Sequence, residues 1–299
     1  MIGFVLSGGG NRGALEVGAL IALFEHNIKP DLLVGTSAGA LNASFIAVNP
    51  TLEGAQQLAD KWRKIKRENV FPGNIFTFAW RFITGADSLS PNDSLRQYIV
   101  SQLPASVKTF GDITGARLYT TTGNLNNAQI YLFGDDPRAS VVDAVMASAA
   151  VPPLLPPIVF NGWQFVDGAT CADVPISIAA AKGATEIYAI DVGLGALLQR
   201  DIHGIINIAQ RSVAVLAHQQ LLRDLADVGA DPAITLHYLP IQSFASIGDF
   251  DHADQFIAEG RRLMTDFLEG RAPTPTEAVV SMDAPPPPGA VKWERKRRG

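Results

Sequence analysis

The strongest constraint on the fold is the stretch 31–40, where a short apolar strand turns directly into a helix of small residues. Residues 32–34 form the predicted buried strand, and Gly35-Thr36-Ser37-Ala38-Gly39 matches the pattern Gly-x-Ser-x-Gly. In a nucleophile elbow, a sharp turn after a strand lifts a serine hydroxyl above the sheet, while glycines leave room for neighbouring backbone. The stretch predicts a strand–turn–helix unit with Ser37 as candidate nucleophile and Gly35 and Gly39 as elbow glycines. A tight glycine turn without chemistry is the alternative.

A second strand–glycine–helix unit precedes the first. Residues 2–6 read as a buried strand, residues 14–26 read as a helix, and between them lies a loop containing Gly8, Gly9, Gly10, Asn11, Arg12 and Gly13. The N–H groups of such a loop, together with the start of the helix, form a site for an anion. Two anions fit: the phosphate of a dinucleotide, or the transient oxyanion of an ester under attack.

The spacing of acidic residues favours the oxyanion. A dinucleotide site needs an acidic side chain at the end of the next strand, about 20 residues on, to bind the ribose. Asp31 instead precedes that strand, which ends at Gly35, and Arg12 is bulky for the dinucleotide loop. We therefore interpret the loop as a donor site for acyl transfer.

The rest of the chain alternates between predicted strands and helices. Two strands form a hairpin around Asn161-Gly162, and the second of them ends at Asp167-Gly168. The predicted strands are 117–122, 128–133, 158–160, 164–166, 186–192 and 233–239, and the predicted helices are 51–69, 140–150, 176–181, 204–225 and 251–268. Such alternation is typical of an α/β sheet with helices on both faces.

Two segments of the sequence each allow two interpretations. Phe76, Trp80 and Ile83 share one face of a helix, which indicates core packing or, alternatively, a lid over an acyl-chain pocket. We predict one domain over residues 1–270 and a proline-rich, disordered tail over 271–299. The basic run 292–298 is hypothesised to contact anionic lipid, with an inert solvated tail as the alternative.

Composition excludes several classes of function. The single cysteine, Cys171, allows no internal disulfide, and no Cys and His cluster has zinc spacing, so neither metal nor cofactor is expected. The whole chain has a formal net charge of −5 and residues 292–298 contribute +4, so the remainder carries −9, which argues against a nucleic-acid partner. Without a signal peptide or an apolar run of about 18 residues, we expect a cytoplasmic protein, with peripheral membrane contact as a further option.

Serine needs a base within hydrogen-bond reach to act as a nucleophile. The residues leave two arrangements open. Asp167 contacts Ser37 directly, or it forms a Ser–His–Asp triad of the α/β-hydrolase kind. The candidate histidines for that triad are His203, His218, His237 and His252. None of them follows a strand in a loop of small residues, so a structural or surface role is the preferred interpretation for each.

The chain resembles the patatin-like phospholipases. The resemblance extends over about residues 3–192 and rests on the loop 8–13, the stretch 30–40, the triplet Asp167-Gly168-Ala169 and the segment 147–157. It implies a three-layer α/β sandwich with a mixed, mostly parallel sheet, and a Ser–Asp dyad without a catalytic histidine. The dyad would be Ser37 and Asp167, with Gly168 and Ala169 as supporting residues. The oxyanion hole would be Gly8, Gly9 and Gly10, and the substrate a lipid acyl ester.

Two positions depart from the family pattern. Asn11 stands where a small residue is usual, and Asp173 stands where an asparagine often precedes the proline. A second carboxylate close to Asp167 would raise the pKa of that residue. Neither departure removes a catalytic part, but an inactive lipid-binding or nucleotide-binding member remains a rival hypothesis. The sequence predicts neither the head group nor the oligomeric state.

Overall fold

The computed structural model describes residues 1–73, 78, 80, 81, 83–193, 202–241 and 250–271. Its strands are β1 (Ile2–Leu6), β2 (Leu32–Gly35), β3 (Arg117–Asn124), β4 (Gln129–Phe133), β5 (Ile158–Phe160), β6 (Trp163–Asp167), β7 (Glu186–Asp191) and β8 (Thr235–Pro240). Its helices are α1 (Gly13–Glu25), α2 (Ala38–Val48), α3 (Leu52–Trp62), α4 (Arg67–Val70), α5 (Asp93–Gln102), α6 (Val141–Ser148), α7 (Ile176–Ala181), α8 (Ile205–Gly229) and α9 (Ala253–Leu268).

The strands form one mixed sheet in the order β5-β6-β3-β2-β1-β7-β8, with β4 also paired to β3. Strands β3, β2, β1, β7 and β8 run parallel to one another, and the antiparallel pairs come from the two hairpins and from β3 with β6. In the parallel part of the sheet, the carboxyl ends of the strands meet at one edge, where ligands bind in open α/β sheets.

Helices cover both faces of the sheet, because successive side chains of a strand point to opposite sides. On β1, Phe4 and Leu6 belong to one buried cluster, which also holds residues of α1, α2, α3, α6 and α9. Val5, between them, belongs to a second cluster with residues of α7 and α8. The predicted three-layer α/β sandwich is therefore confirmed.

The register of β3 brings the two ends of the predicted site together. Thr120 pairs with Gly35 of β2 and Phe133 of β4, whereas Thr122 pairs with Asp167 of β6 and Tyr131 of β4. Because β4 pairs with one side of β3 from Thr120 to Asn124, β2 and β6 must follow each other along the other side. Strand β2 thus ends its pairing with β3 where the chain turns into the elbow, and β6 pairs with the next residues of β3 on the same side.

Three local predictions need correction. The helix predicted over 51–69 is two helices, α3 and α4, because Lys66 is extended and its N–H donates to the Asn69 side chain at the start of α4. The sequence Ser90-Pro91-Asn92-Asp93 predicts a helix with Pro91 at the first helical position, but helix α5 begins at Asp93. Trp80 and Ile83 do not pack in the core, since they are 68% and 77% exposed.

Some predictions are not tested by the described residues. Phe76 and the tail beyond residue 271 lie outside them, so the lid and the division at residue 270 stay predictions. Among the helices that the structure describes, none is long and apolar enough to cross a membrane.

Candidate active site

Ser37 occupies the turn between β2 and α2 in a strained backbone conformation. Its φ is 55° and its ψ is −119°, a region that non-glycine residues seldom adopt. The turn is tight, because a Cβ on Gly39 would lie 2.4 Å from the Leu6 carbonyl oxygen. The Ser37 N–H donates to the Ser148 hydroxyl at 3.0 Å. The backbone is thus fixed, and the partly exposed Ser37 side chain reaches the cavity described below.

Asp167 ends β6 and is almost fully buried, with 2% of its surface exposed. Its carboxylate accepts a hydrogen bond from the Ala169 N–H at 2.8 Å, in the short turn Gly168–Thr170. The Ser37 side chain is a further hydrogen-bond partner of the same carboxylate. Burial raises the pKa of Asp167 to about 6, and the hydrogen bonds from Ala169 and Ser37 oppose that rise. The carboxylate is therefore ionised at neutral pH and placed to accept a proton from Ser37.

The glycine loop contains one N–H group with a partner and two N–H groups without a partner among the described residues. The N–H of Gly8 is already engaged, because it lies 3.1 Å from Asp173 Oδ1 and 3.3 Å from the Asp173 carbonyl oxygen. Gly9 and Gly10 are partly exposed and line the cavity, and within the described ranges no group accepts a hydrogen bond from their N–H. The geometry therefore favours Gly9 and Gly10 over Gly8 as donors to an oxyanion.

The buried side chain of Arg12 stabilises the glycine loop by hydrogen bonds. Its Nε donates to the Gly9 carbonyl oxygen at 3.1 Å and its Nη1 donates to that of Gly193 at 2.7 Å. Burial lowers the pKa of Arg12, while Asp173 and Asp191 raise it. With 3% of its surface exposed, the side chain is placed to hold the loop rather than to meet a phosphate. Asn11 is also buried, and Gly13 begins α1.

A second group of polar side chains lies beside the dyad. Asp191 accepts hydrogen bonds from the Gly193 N–H at 2.8 Å and from the Tyr238 hydroxyl at 2.7 Å. A Cβ on Gly193 would lie 2.7 Å from Asp173 Oδ2 and 2.8 Å from Asp191 Oδ1, so only a glycine fits between the two carboxylates. Within the described ranges, no three acidic, histidine or cysteine side chains are arranged as metal ligands.

The charges of Asp167 and Asp191 bear on the neighbouring carboxyl group of Asp173. Burial raises the pKa of Asp173 well above its usual value, and the charges of Asp191 and Asp167 raise it further. The raised pKa of Asp167, in contrast, has burial as its cause. Burial thus raises the pKa of both acids, and neighbouring carboxylates add to the rise for Asp173.

Ser37, Gly9 and Gly10 open onto a cavity of about 240 Å³. Its apolar wall has two sources. Helices α3 to α6 and the segment after α6 contribute Trp62, Leu95, Ile99, Val145, Leu154 and Leu155. Helix α8 contributes Val213, Ala214, Ala217 and Leu221, together with Gln210 and His218. A cavity that is apolar except at the reacting end suits a hydrocarbon chain.

The histidines do not complete a triad among the described contacts. The groups that hydrogen-bond the Asp167 carboxylate are the Ala169 N–H and Ser37. His237 stacks on Tyr188 at 4.3 Å and lies 3.4 Å from Glu186, at the far end of β7, and His203 is exposed. His218 lines the cavity and is therefore the histidine to test by substitution.

Sequence reasoning missed three contributors to the site: Ser148, Asp191 and Tyr238. Asp191 ends β7, the neighbour of β1, so the rule that sites form at the carboxyl ends of parallel strands could have found it. Ser148 and Tyr238 carry no such signal, because their roles depend on which helix and strand pack beside the elbow.

Comparison with known sequences identifies the family. The family described as Patatin-like phospholipase matches residues 4–180. The lysophospholipase NTE1 of Meyerozyma guilliermondii is 31% identical over 195 residues. A Caenorhabditis elegans protein, described as the putative patatin-like phospholipase domain-containing protein M110.7, is 29% identical over 198 residues. Both alignments cover 64% of this chain but only 12% and 17% of those proteins, so this chain corresponds to a small part of each.

Two solved structures share the fold. VipD from Legionella pneumophila superposes with a TM-score of 0.50 at 15% identity, over 90% of this chain and 67% of that one. Human GIVD cytosolic phospholipase A2 gives a TM-score of 0.53 at 11% identity, over 94% and 59%. Because the family match extends over more than half of the sequence and includes all three predicted motifs, the chain belongs to the patatin-like phospholipase family.

Proposed function

We propose that this protein is a serine acyl hydrolase that cleaves the carboxylic esters of phospholipids or lysophospholipids. Ser37 is the nucleophile and Asp167 is its general base. The observation that carries the proposal is the contact between the Ser37 side chain and the buried Asp167 carboxylate, next to two N–H groups that no described residue engages and an apolar cavity. Family membership and the name of the Meyerozyma guilliermondii relative, lysophospholipase NTE1, support the substrate class.

The first half of the reaction acylates the enzyme. Asp167 takes the proton of the Ser37 hydroxyl while its oxygen attacks the ester carbonyl carbon. The Gly9 and Gly10 N–H groups stabilise the oxyanion of the tetrahedral intermediate; removing one such donor typically costs about 10²–10³ in kcat. The intermediate collapses, the bond from carbon to the alcohol oxygen breaks, and Asp167 returns the proton to the leaving alcohol.

The second half releases the fatty acid. Water attacks the acyl-Ser37 carbonyl carbon while Asp167 accepts a proton from that water. The same two N–H groups stabilise the second oxyanion. When this intermediate collapses, the Ser37 oxygen leaves and recovers its proton from Asp167, which restores the dyad. The hydrocarbon chain occupies the apolar cavity throughout, so the ester carbonyl stays aligned with Ser37.

The test is hydrolysis of p-nitrophenyl esters by the wild type, Ser37→Ala and Asp167→Asn. We expect each substitution to lower kcat/KM by at least about 10³-fold, because nucleophile and base act as one unit. His218→Asn is the matched control from the same cavity and should stay within about tenfold of the wild type. If His218→Asn falls as far as Asp167→Asn, the triad is the correct arrangement. A wild type that neither hydrolyses esters nor reacts with a fluorophosphonate would favour a non-catalytic member.

A further inference from the structure

Helix α8 carries apolar side chains on two opposite faces. One face lines the cavity, with Val213, Ala217 and Leu221 among its residues. The other face is open to solvent: Ile205 is 89% exposed, Ile208 51%, Val215 52% and Leu216 66%. A surface helix ordinarily presents polar residues outward, and one that is apolar all round is ordinarily buried. The outward side of α8 thus has the composition of a contact surface.

The exposed residues form one continuous stripe. At about 100° per residue, the four aliphatic side chains fall within an arc of about 120°, roughly opposite the residues that line the cavity. The stripe extends from Ile205 to Leu216, a length of about 17 Å at the rise of an α-helix. Ala209 and Ser212, which lie within the same arc, are exposed and small. No large polar side chain interrupts the stripe.

The segment 202–223, which carries the stripe, is weakly basic although the chain as a whole is acidic. Residues 202–223 contain Arg211 and Arg223 and no aspartate or glutamate, although the chain as a whole has a net charge of −5. The first acidic residue of α8 is Asp224, which is buried and bonded to Ser177 and Gln220. A segment that is aliphatic and weakly basic is attracted to anionic lipid.

We propose that the outward face of α8, formed by Ile205, Ile208, Val215 and Leu216, docks the protein onto a lipid–water interface. The helix lies in the plane of that interface, with its aliphatic stripe among the upper acyl carbons, as amphipathic interfacial helices do. This inference rests on the proposed function, since the other face of the same helix walls the proposed acyl cavity. Docking there places the cavity within about one helix diameter, about 10 Å, of the lipid. A lipid surface is favoured over a second copy of the chain, because only lipid would supply substrate to the nearby cavity.

The test compares two double variants for binding to vesicles of phosphatidylcholine and phosphatidylglycerol, measured by sedimentation in the inactive Ser37→Ala background. Ile208→Gln with Leu216→Gln removes half of the stripe without touching the cavity. Leu125→Gln with Val159→Gln is the matched control, because those residues are 53% and 67% exposed on the two hairpins. We expect the α8 variant to bind at least about tenfold more weakly and the control to bind as the Ser37→Ala parent does.

A second readout separates this inference from the proposed function. With Ser37 restored, both double variants should hydrolyse a dissolved short-chain ester as fast as the wild type, while the α8 variant loses activity on vesicles. Unchanged vesicle binding by the α8 variant would overturn the docking surface, and so would an equal loss in both variants. A wild-type dimer that the α8 substitutions dissociate, without any change in vesicle binding, would assign the face to a second copy. An inactive wild type that still binds vesicles through α8 would refute only the proposed catalysis.

Discussion

Asp167 meets two opposing requirements at the end of β6. Burial raises its pKa to about 6, which makes it a stronger base than an exposed aspartate, and the Ala169 N–H and Ser37 keep it from rising further. At neutral pH the carboxylate is therefore still ionised. A base of higher pKa would be protonated under these conditions, and one of lower pKa would accept the serine proton less readily.

The pKa of Asp167 predicts the pH dependence of the reaction. Only the ionised carboxylate can accept a proton, so kcat/KM for a dissolved ester should rise with pH through about 6 and level off above about 7. Below the pKa, each pH unit should cost about tenfold. The measurement is a pH–rate profile from pH 4.5 to 8, with Ser37→Ala rates subtracted. A profile that stays flat across this range would show that Asp167 is not the base.

The residue-scale features of the site were partly predictable. Ser37, Asp167 and the glycine loop stand out because each follows a predicted strand directly. Which glycine N–H groups remain available was not predictable, since the partner of Gly8 is Asp173, 165 residues away. Arg12 reaches the Gly193 carbonyl across 181 residues. No local pattern encodes such pairings.

Among the elements, α1 and α9 pack at unusually close range. A Cβ on Gly18 would lie 2.0 Å from the Ile257 carbonyl oxygen, and a Cβ on Gly260 would lie 1.9 Å from that of Leu15. Gly18 of α1 therefore faces the backbone of α9, and Gly260 of α9 faces the backbone of α1. A side chain at either position would force the two helices apart. This crossing supports α1, whose first residue closes the glycine loop of the site.

We predict that Gly260→Ala lowers the free energy of unfolding by about 3 kcal/mol or more, because the two backbones must move apart to admit a methyl group. Gly229→Ala is the control: it lies at the end of α8 with nothing within 4 Å of its Cβ position. That change should leave stability unchanged or raise it by up to about 1 kcal/mol. Urea unfolding of both variants checks the prediction, which fails if the two lose equal stability.

Predicted and observed helix boundaries agree where a capping residue or a run of small residues sets the boundary. Helix α7 spans Ile176–Ala181, as predicted, α2 begins at Ala38, directly after the elbow serine, and Ser140 caps α6 by accepting a hydrogen bond from the Asp143 N–H. The break between α3 and α4 was missed, because Trp62 and Ile65 are both buried and their periodicity does not show that the chain turns between them.

For the whole molecule, the cavity joins elements that are far apart along the chain. One wall comes from residues 62–155 and the other from α8 and β8, with the dyad between them. The size of the acyl chain that fits is therefore a property of how these walls pack. A substitution on one wall should change chain-length preference without changing the chemistry at Ser37.

We predict that Ala214→Trp, on the α8 wall, shortens the preferred acyl chain. The indole would fill part of the cavity, so kcat/KM for long-chain esters should fall by about tenfold or more relative to short-chain esters. Ala226→Trp is the control, since that residue is exposed on the same helix beyond the stripe and does not line the cavity. A series of p-nitrophenyl esters provides the measurement. An equal loss at every chain length would mean that Ala214 does not border the acyl site.

The class of fold, the strand–turn–helix unit at Ser37, the glycine loop after β1 and the aspartate that ends β6 could all be predicted from local sequence. These depend on local backbone preferences and on side-chain periodicity, which a linear pattern records. The packing of distant segments, in contrast, places β6 after β2 along the same side of β3 and so brings Asp167 to Ser37. The same packing gives the Gly8 N–H a partner while no described residue engages those of Gly9 and Gly10, and it leaves an aliphatic stripe of α8 exposed behind the cavity. Each of these depends on contacts between distant segments, whose free energy no local pattern contains.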